Sequence, residues 1–394
     1  MANFAKPIAH KTLNNAEKPQ NRDQTLDIFR AAAVLMVVLF HYTTRLPSEV
    51  FGAVPYAVVP FEFGWIGVYF FFIISGFCIF FTLEKAKSIG SFLAKRFSRI
   101  YPAFLAAAVL LFALDQVFGL PLLPEFSYRE TAPSIVDLVG NLVLLGGIFE
   151  WVNGSFWSIT VEVQFYVMIA IMALVFKQGE KLARLFSYAA LALGTAWLLV
   201  ELASSDIATM GKLATMLQKT LIAPFMPFFA VGVVGVQLKR SPEAFAGLFW
   251  QLAALCFVIV VVTSAEGDAT LLSASSVSTG LIVVGLIGIF CAYCVGWRLP
   301  HMPFLSNGLA HIGLLSFSWY LLHENLGFLL LEALNPALPY WLSVIIAMGM
   351  TYAAAAMFSK LFEWRFRKTA EAWFMAALRL FTARLPKKMG ESLI

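Results

Sequence analysis

Two histidines, two glutamates and several arginines stand in or beside strongly apolar runs, where an ionisable side chain is costly and therefore marks a candidate functional position. Arg30 and His41 are separated by ten residues. Eleven positions along a helix advance about 16 Å and come back to nearly the same face. A long phosphorylated donor could hold its phosphates near Arg30 and present its reactive end near His41. Arg96 and Arg99 lie at i and i+3, on one helix face, and their planar forks match phosphate oxygens. Ser158, Glu162 and Phe165 fall at i, i+4 and i+7, one stripe facing a bundle. The spacing puts Glu162 near the depth of His41, where a carboxylate could orient an imidazole and stabilise its cation. Ser316, Tyr320 and His323 form a second such stripe with Glu324 beside it, and Ser75-Gly76 lies midway along another apolar run. Histidine has the pKa near 7 that suits a general base, and Ser75, Ser158 or Tyr320 could each donate to a developing oxyanion. Plainer accounts exist for each residue taken alone. Arginines anchor spans, a buried His or Glu pairs for packing, and Gly76 lets helices approach.

Long helices must hold these residues. The 394-residue chain is 60% hydrophobic and 13% charged, with 15% aromatic residues. A soluble globular protein has roughly 45–50% apolar and about 25% charged residues, so the chain is expected to be an all-α polytopic membrane protein. Apolar stretches predict about ten spans, at roughly 28–46, 64–83, 100–119, 157–176, 184–203, 217–238, 246–264, 277–296, 311–332 and 340–360. The segment 136–150 is short and carries Asp137, Asn141 and three glycines. Without it as a span, all of the 28 lysines and arginines except Arg45, Arg129, Lys212 and Lys219 fall on one side. The positive-inside rule then predicts both termini in the cytoplasm and 136–150 as a re-entrant or surface helix. Acidic residues gather mostly outside, and the basic inner face should attract anions, either lipid headgroups or phosphorylated cofactors. Three parts follow: a polar cytoplasmic N-terminus (1–26), a membrane domain (27–360) and a basic amphipathic tail (361–394). In that tail Phe362 to Leu385 repeats apolar residues at helical spacing between Arg365, Lys368, Arg379 and Arg384, as an interfacial helix does.

Several classes are excluded. No GxxxxGK[ST] phosphate loop and no HExxH are present, the five histidines form no ligand cluster, and the four cysteines sit in apolar segments. No metal site is expected, nor nucleic-acid binding.

Leu26-Asp27-Ile28-Phe29-Arg30, ten residues and His41 resemble the arginine–x10–histidine signature of the membrane acyltransferase family 3. Phe71-Phe72-Ile73-Ile74-Ser75-Gly76-Phe77 is similar to its second-span motif, and Arg96-Phe97-Ser98-Arg99-Ile100-Tyr101-Pro102 to its RxxRIxP loop. Phe156-Trp157-Ser158 with Glu162, Phe165 and Tyr166 resembles its tryptophan–serine–glutamate motif. Ser316, Tyr320, Leu321 and His323 resemble the late-span motif, and Glu363 the closing glutamate. The motifs occur in family order over residues 24–368. Trp364-Arg365-Phe366 stands where the family often has a proline, and the chain resembles the stand-alone form without a hydrolase-like C-terminal domain.

The resemblance implies transfer of an acyl group, most often acetyl from acetyl-CoA, to a hydroxyl of an exopolysaccharide, O-antigen or related glycan. It places the enzyme in the bacterial inner membrane and implies no tightly bound cofactor. On this reading Arg30, Arg96, Arg99 and Ser75 bind the acyl-CoA. His41 acts as base or as acyl carrier, with Glu162, Ser158, Tyr320 and His323 completing the site. The alternative is a transporter or flippase of a lipid-linked glycan or small metabolite, since intramembrane His and Glu also suit a proton relay.

Overall fold

The computed structural model describes residues 23–45, 59–119, 132–145, 148–176, 178–204, 207–265, 273–298 and 302–383. Residues 1–22 of the expected N-terminal part and 384–394 of the expected tail lie outside them, as do Arg129 and the acidic loop residues Glu125, Glu130, Glu266 and Asp268.

Asp23 opens α1 (Gln24–Thr43) by accepting from the Thr25 N–H at 3.1 Å, a side-chain cap for an otherwise unpaired donor. A helical turn, Gly64–Ile66, leads into α2 (Gly67–Glu84). Ser88 and Ser91 form a capping box at the start of α3 (Ile89–Phe118). There follow α4 (Ile135–Leu142), α5 (Phe156–Val175), α6 (Glu180–Leu202), α7 (Ala208–Leu221), α8 (Met226–Leu238), α9 (Pro242–Ser264) and α10 (Ala274–Cys294). The last are α11 (Pro303–Leu334), α12 (Tyr340–Phe358) and α13 (Arg367–Thr382). Among the described residues ten helical segments are long and apolar enough to cross a bilayer, with α7 and α8 counted together and α12 running on into α13. The chain is an all-α, polytopic integral membrane protein. Outward-facing Val117, Ile171, Val175, Leu199, Ile345 and Met357 form the apolar exterior that a lipid environment requires.

Some boundaries differ from the expected ones. The third span is expected at 100–119, but the cap at Ser88 starts α3 at Ile89, so Arg96 and Arg99, expected on one helix face, lie within the helix of the span itself. The ninth begins at Pro303, not 311, because Pro is well suited to a first helical turn. The sixth, expected unbroken over 217–238, is interrupted where Ile222 adopts a left-handed φ of 48°. Pro224 disfavours helix at the residue before it and removes a donor. With 8 residues, α4 rises only about 12 Å and does not span, in keeping with a surface or re-entrant element near 136–150. The tail helix begins at Arg367, after a π-helical turn over Ser359–Trp364.

The core is built around α8, every residue of which is buried among α2, α6, α9 and α10. At Gly76 a Cβ would overlap the Phe229 carbonyl oxygen, and at Gly232 it would overlap that of Ile73. Glycine at both positions lets the α2 and α8 backbones touch. This rigid pair holds α2 against α1, and α1 in turn packs along α11. The face of α2 away from α8 is left to line a cavity.

Candidate functional site

Two cavities follow one another along α2. The first, about 680 Å³ with its open mouth, is lined by Arg30 of α1, Ser75 and Cys78 of α2, and Arg96 and Arg99 of α3. Ser158, Glu162 and Tyr166 of α5 and Ser316 and Tyr320 of α11 complete it. Asp27, one turn before Arg30, accepts from its Nη1 at 2.9 Å, while Nη2 lies 3.1 Å from Cys78 Sγ. The Nη2 of Arg96 donates to Thr82 Oγ1 at 2.6 Å, and its Nε is buried without a hydrogen-bond partner. Glu162 Oε1 accepts from Ser75 Oγ and, at 2.5 Å, from Tyr166 Oη. The cavity lining therefore carries three guanidinium groups and one carboxylate, and even with Asp27 paired to Arg30 the positive charge is in excess, with arginine forks suited to phosphate oxygens.

The second cavity, about 450 Å³, is lined by Phe40, His41, Arg45, Trp65, Tyr69, Ser155, Trp157 and Tyr320 among others. His41 Nδ1 is 2.9 Å from the Val37 carbonyl, one turn back on α1. A carbonyl only accepts, so Nδ1 carries the proton and Nε2 keeps its lone pair. Arg45 Nη1 meets that Nε2 at 3.3 Å, and Glu324 Oε1 stands 3.6 Å from it. Behind lies His323, with Nε2 3.2 Å from His41 Nδ1 and with its own Nδ1 donating to the Tyr320 carbonyl at 2.8 Å. Both His323 and Glu324 are fully buried. The segment entering α5 is pinned to α11 from both sides. Asn153 Nδ2 donates to the Leu321 carbonyl at 2.9 Å, and Asn325 Nδ2 donates to the Val152 carbonyl at 2.8 Å.

The residues singled out in the sequence thus gather at one place, but in two compartments. Arg30, Arg96, Arg99, Ser75, Ser158, Glu162 and Ser316 share the first; His41 is in the second with His323 behind it, and Tyr320 borders both. The expected pairing of Glu162 with His41 is corrected. Glu162 is six residues into α5, about 9 Å below its start, and it faces the arginines. The carboxylate beside His41 is Glu324. Phe165, expected on the same stripe, stacks on Phe229 with ring centroids 4.2 Å apart. Sequence reasoning noted Glu324 beside the α11 stripe but assigned it no role, and it counted Arg45 only as an outer charge. Their signal was present: Glu324 follows a buried histidine, and Arg45 lies four residues after His41. Cys78 and Asn153 carried no such signal, since their importance lies in contacts across helices.

Residues 23–360 match the model of acyltransferase family 3, an acyltransferase domain. The chain belongs to this family. It is 29% identical over 164 residues to an O-acetyl transferase of Shigella phage Sf6, covering 38% of this chain and 45% of that one. A peptidoglycan O-acetyltransferase of Listeria monocytogenes is 22% identical over 369 residues, 87% of this chain and 56% of its own. An acyltransferase of Streptomyces mycarofaciens is 32% identical over 108 residues, 26% of this chain and 27% of that one. The chain thus spans about half or less of the length of these curated relatives. No solved structure matches.

Proposed function

We propose that this protein is an integral membrane O-acyltransferase that moves an acyl group, acetyl by preference, from cytoplasmic acyl-CoA to a hydroxyl of an envelope or exported glycan. One observation carries the reading. A histidine whose Nε2 faces a cavity, with Arg45 and a carboxylate beside it, backs onto a second cavity lined by three arginines. The CoA phosphates meet Arg30, Arg96 and Arg99, and the pantetheine arm runs along α2 towards Tyr320. Anionic CoA suits this cavity because arginine forks bind phosphate bidentately in a low-dielectric site.

The acceptor enters the second cavity, and its hydroxyl replaces the Arg45 N–H at His41 Nε2. His41 takes the hydroxyl proton as the oxygen attacks the thioester carbon. The new C–O bond forms, the C–S bond breaks, and the proton passes to the departing CoA thiolate. Glu324 stabilises the imidazolium between these steps, as the acid of a triad does, and His323 fixes the ring from behind. The order of the two cavities along α1, with Arg30 in the first and His41 eleven residues on in the second, supports a donor made inside and an acceptor held at the outer side of the bacterial inner membrane. The O-acetyl transferases among the relatives support the reaction class.

Purified, detergent-solubilised protein incubated with radiolabelled acetyl-CoA and a glycan hydroxyl acceptor should release CoA, and His41→Ala should abolish this while leaving membrane levels intact. Protein-bound label that depends on His41 would establish an acyl-histidine route. Release by the His41→Ala variant at the wild-type rate would remove His41 from the chemistry.

A further inference from the structure

Val68 and Tyr320 line both cavities, so a wall one side chain deep separates the arginines and Glu162 from His41. The Tyr320 hydroxyl lies on that boundary. It is 2.7 Å from Ser158 Oγ, in the lining of the first cavity, and donates at 3.2 Å to the carbonyl of Ser155, in the lining of the second. The rest of its ring rests on Phe71 and His323, with centroids 6.0 and 5.5 Å away. Those ring contacts are non-directional, whereas the hydroxyl bonds fix one rotamer.

Acyl transfer needs the reacting atoms about 3–3.5 Å apart, so the acyl carbonyl must pass this wall to reach a hydroxyl held at His41. We propose that Tyr320, latched by Ser158 and Ser155, is a movable partition between a donor cavity and an acceptor cavity, and that Val68 limits the length of acyl group it admits. The identity of the cargo rests on the acyl-CoA reading above; the partition itself does not. Closed, it keeps the thioester away from water on the acceptor side. There, water would attack the carbonyl carbon, break the C–S bond and give free acid and CoA, with the water proton passing through His41 to the thiolate. Opening requires the hydrogen bonds to Ser158 and to the Ser155 carbonyl both to break, after which the ring can turn and the two cavities join.

Cys78 lines the donor cavity beside Arg30 and provides a native reporter. Right-side-out and inverted membrane vesicles are treated with a membrane-impermeant sulfonated maleimide, and modification of Cys78 is read by peptide mass spectrometry, apart from Cys256, Cys291 and Cys294. In the wild type Cys78 should react from the Arg30 face only. In Tyr320→Ala it should react from both faces at comparable rates. Ser158→Ala keeps the ring, loses the shorter of the two latch bonds and should speed labelling from the His41 face several-fold. Equal labelling from both faces in the wild type overturns the partition. So does continued protection in a Tyr320→Ala protein with wild-type membrane level and melting temperature. Should Tyr320→Ala fail to fold, an unaltered rate in Ser158→Ala overturns the latch and the partition with it. With acyl-CoA substrates, Val68→Ala should raise the butyryl-to-acetyl ratio of CoA release about ten-fold, the scale of methylene discrimination in an apolar pocket; an unchanged ratio removes Val68 as the limit. No turnover of any acyl-CoA by the wild type would instead overturn the donor reading, while one-sided labelling of Cys78 would still stand.

Discussion

His41 and His323 approach edge to face with ring centroids 4.9 Å apart, and the hydrogen-bond chain through them runs in one direction. The Tyr320 carbonyl fixes His323 Nδ1 as a donor, His323 Nε2 then faces His41 Nδ1, and His41 Nε2 points into the second cavity between Arg45 and Glu324. The two glutamates should therefore separate kinetically. Glu324→Gln keeps the shape but loses the charge that stabilises the imidazolium, so kcat should fall by about 10²-fold or more with the donor KM unchanged. Glu162→Gln alters the carboxylate held by Ser75 and Tyr166 among the arginines, so its effect should fall on the donor KM. Steady-state kinetics of both variants with acetyl-CoA checks this, and a kcat effect at Glu162 with none at Glu324 would reverse the assignment. Arg99→Ala should raise the donor KM as well, and loss of expression without a KM change would make Arg99 an anchor only.

At the scale of elements, the glycine contact between α2 and α8 holds the lining of the first cavity. A methyl at Gly76 would overlap the backbone of Phe229, whereas one at Gly285 would meet nothing. Gly76→Ala should cost about 1–3 kcal/mol by overpacking, and Gly285→Ala should be neutral or slightly stabilising. Thermal unfolding in detergent distinguishes them.

The short α4 depends on a polar clasp rather than on length. Asp137 accepts from Ser134 N at 2.8 Å, Ser134 Oγ at 2.6 Å and Glu150 N at 3.1 Å. Partial burial acts to raise the Asp137 carboxyl pKa, but the hydrogen bonds from Ser134 and from the backbone outweigh it and hold the group below its ordinary value. Stability from a lowered carboxyl pKa is complete above the unfolded value, about 3.9, and is lost as pH falls through the folded one. The clasp should therefore be insensitive to pH near neutrality and loosen only under acid below about pH 4. Hydrogen exchange over 135–152, corrected for intrinsic rates, should show selective loosening there; Asp137→Ala should show it at every pH.

Across the whole molecule, the ten candidate spans bring the first and last to the same side if all of them cross. Both cavities then lie across one membrane, with Arg30 towards one face and His41 towards the other. Reporter fusions at the two ends should both read as cytoplasmic, in accord with the placement of basic residues. Opposite readings would remove one span and break the assignment of donor and acceptor sides. The tail helix α13 reaches the same region, since Phe374 lies 5.0 Å from Phe97 on α3 while Trp373 and Leu380 face outward. It packs against α3 at the position next to Arg96.

Hydropathy determined the membrane class and, together with the one-sided basic residues that set 136–150 aside, the number of candidate spans, because a bilayer demands unbroken apolar helices and tolerates few alternatives. The spacing of Arg30 and His41, the paired arginines and the polar stripes on α5 and α11 also singled out most of the cavity lining, because a helix puts i, i+4 and i+7 on one face. What that periodicity cannot express is relative depth and rotation between helices. Glu162 and Glu324 were both visible as costly intramembrane carboxylates, yet which of them faces His41 depends on how α1, α5 and α11 are set against one another. That setting comes from contacts with no local signature: Asn153 and Asn325 crossing between the entry to α5 and α11, Gly76 against Gly232, and the turn at Ile222. The division of one polar site into two cavities, with Tyr320 between them, was decided by tertiary packing, because a wall is formed only when side chains from three helices meet.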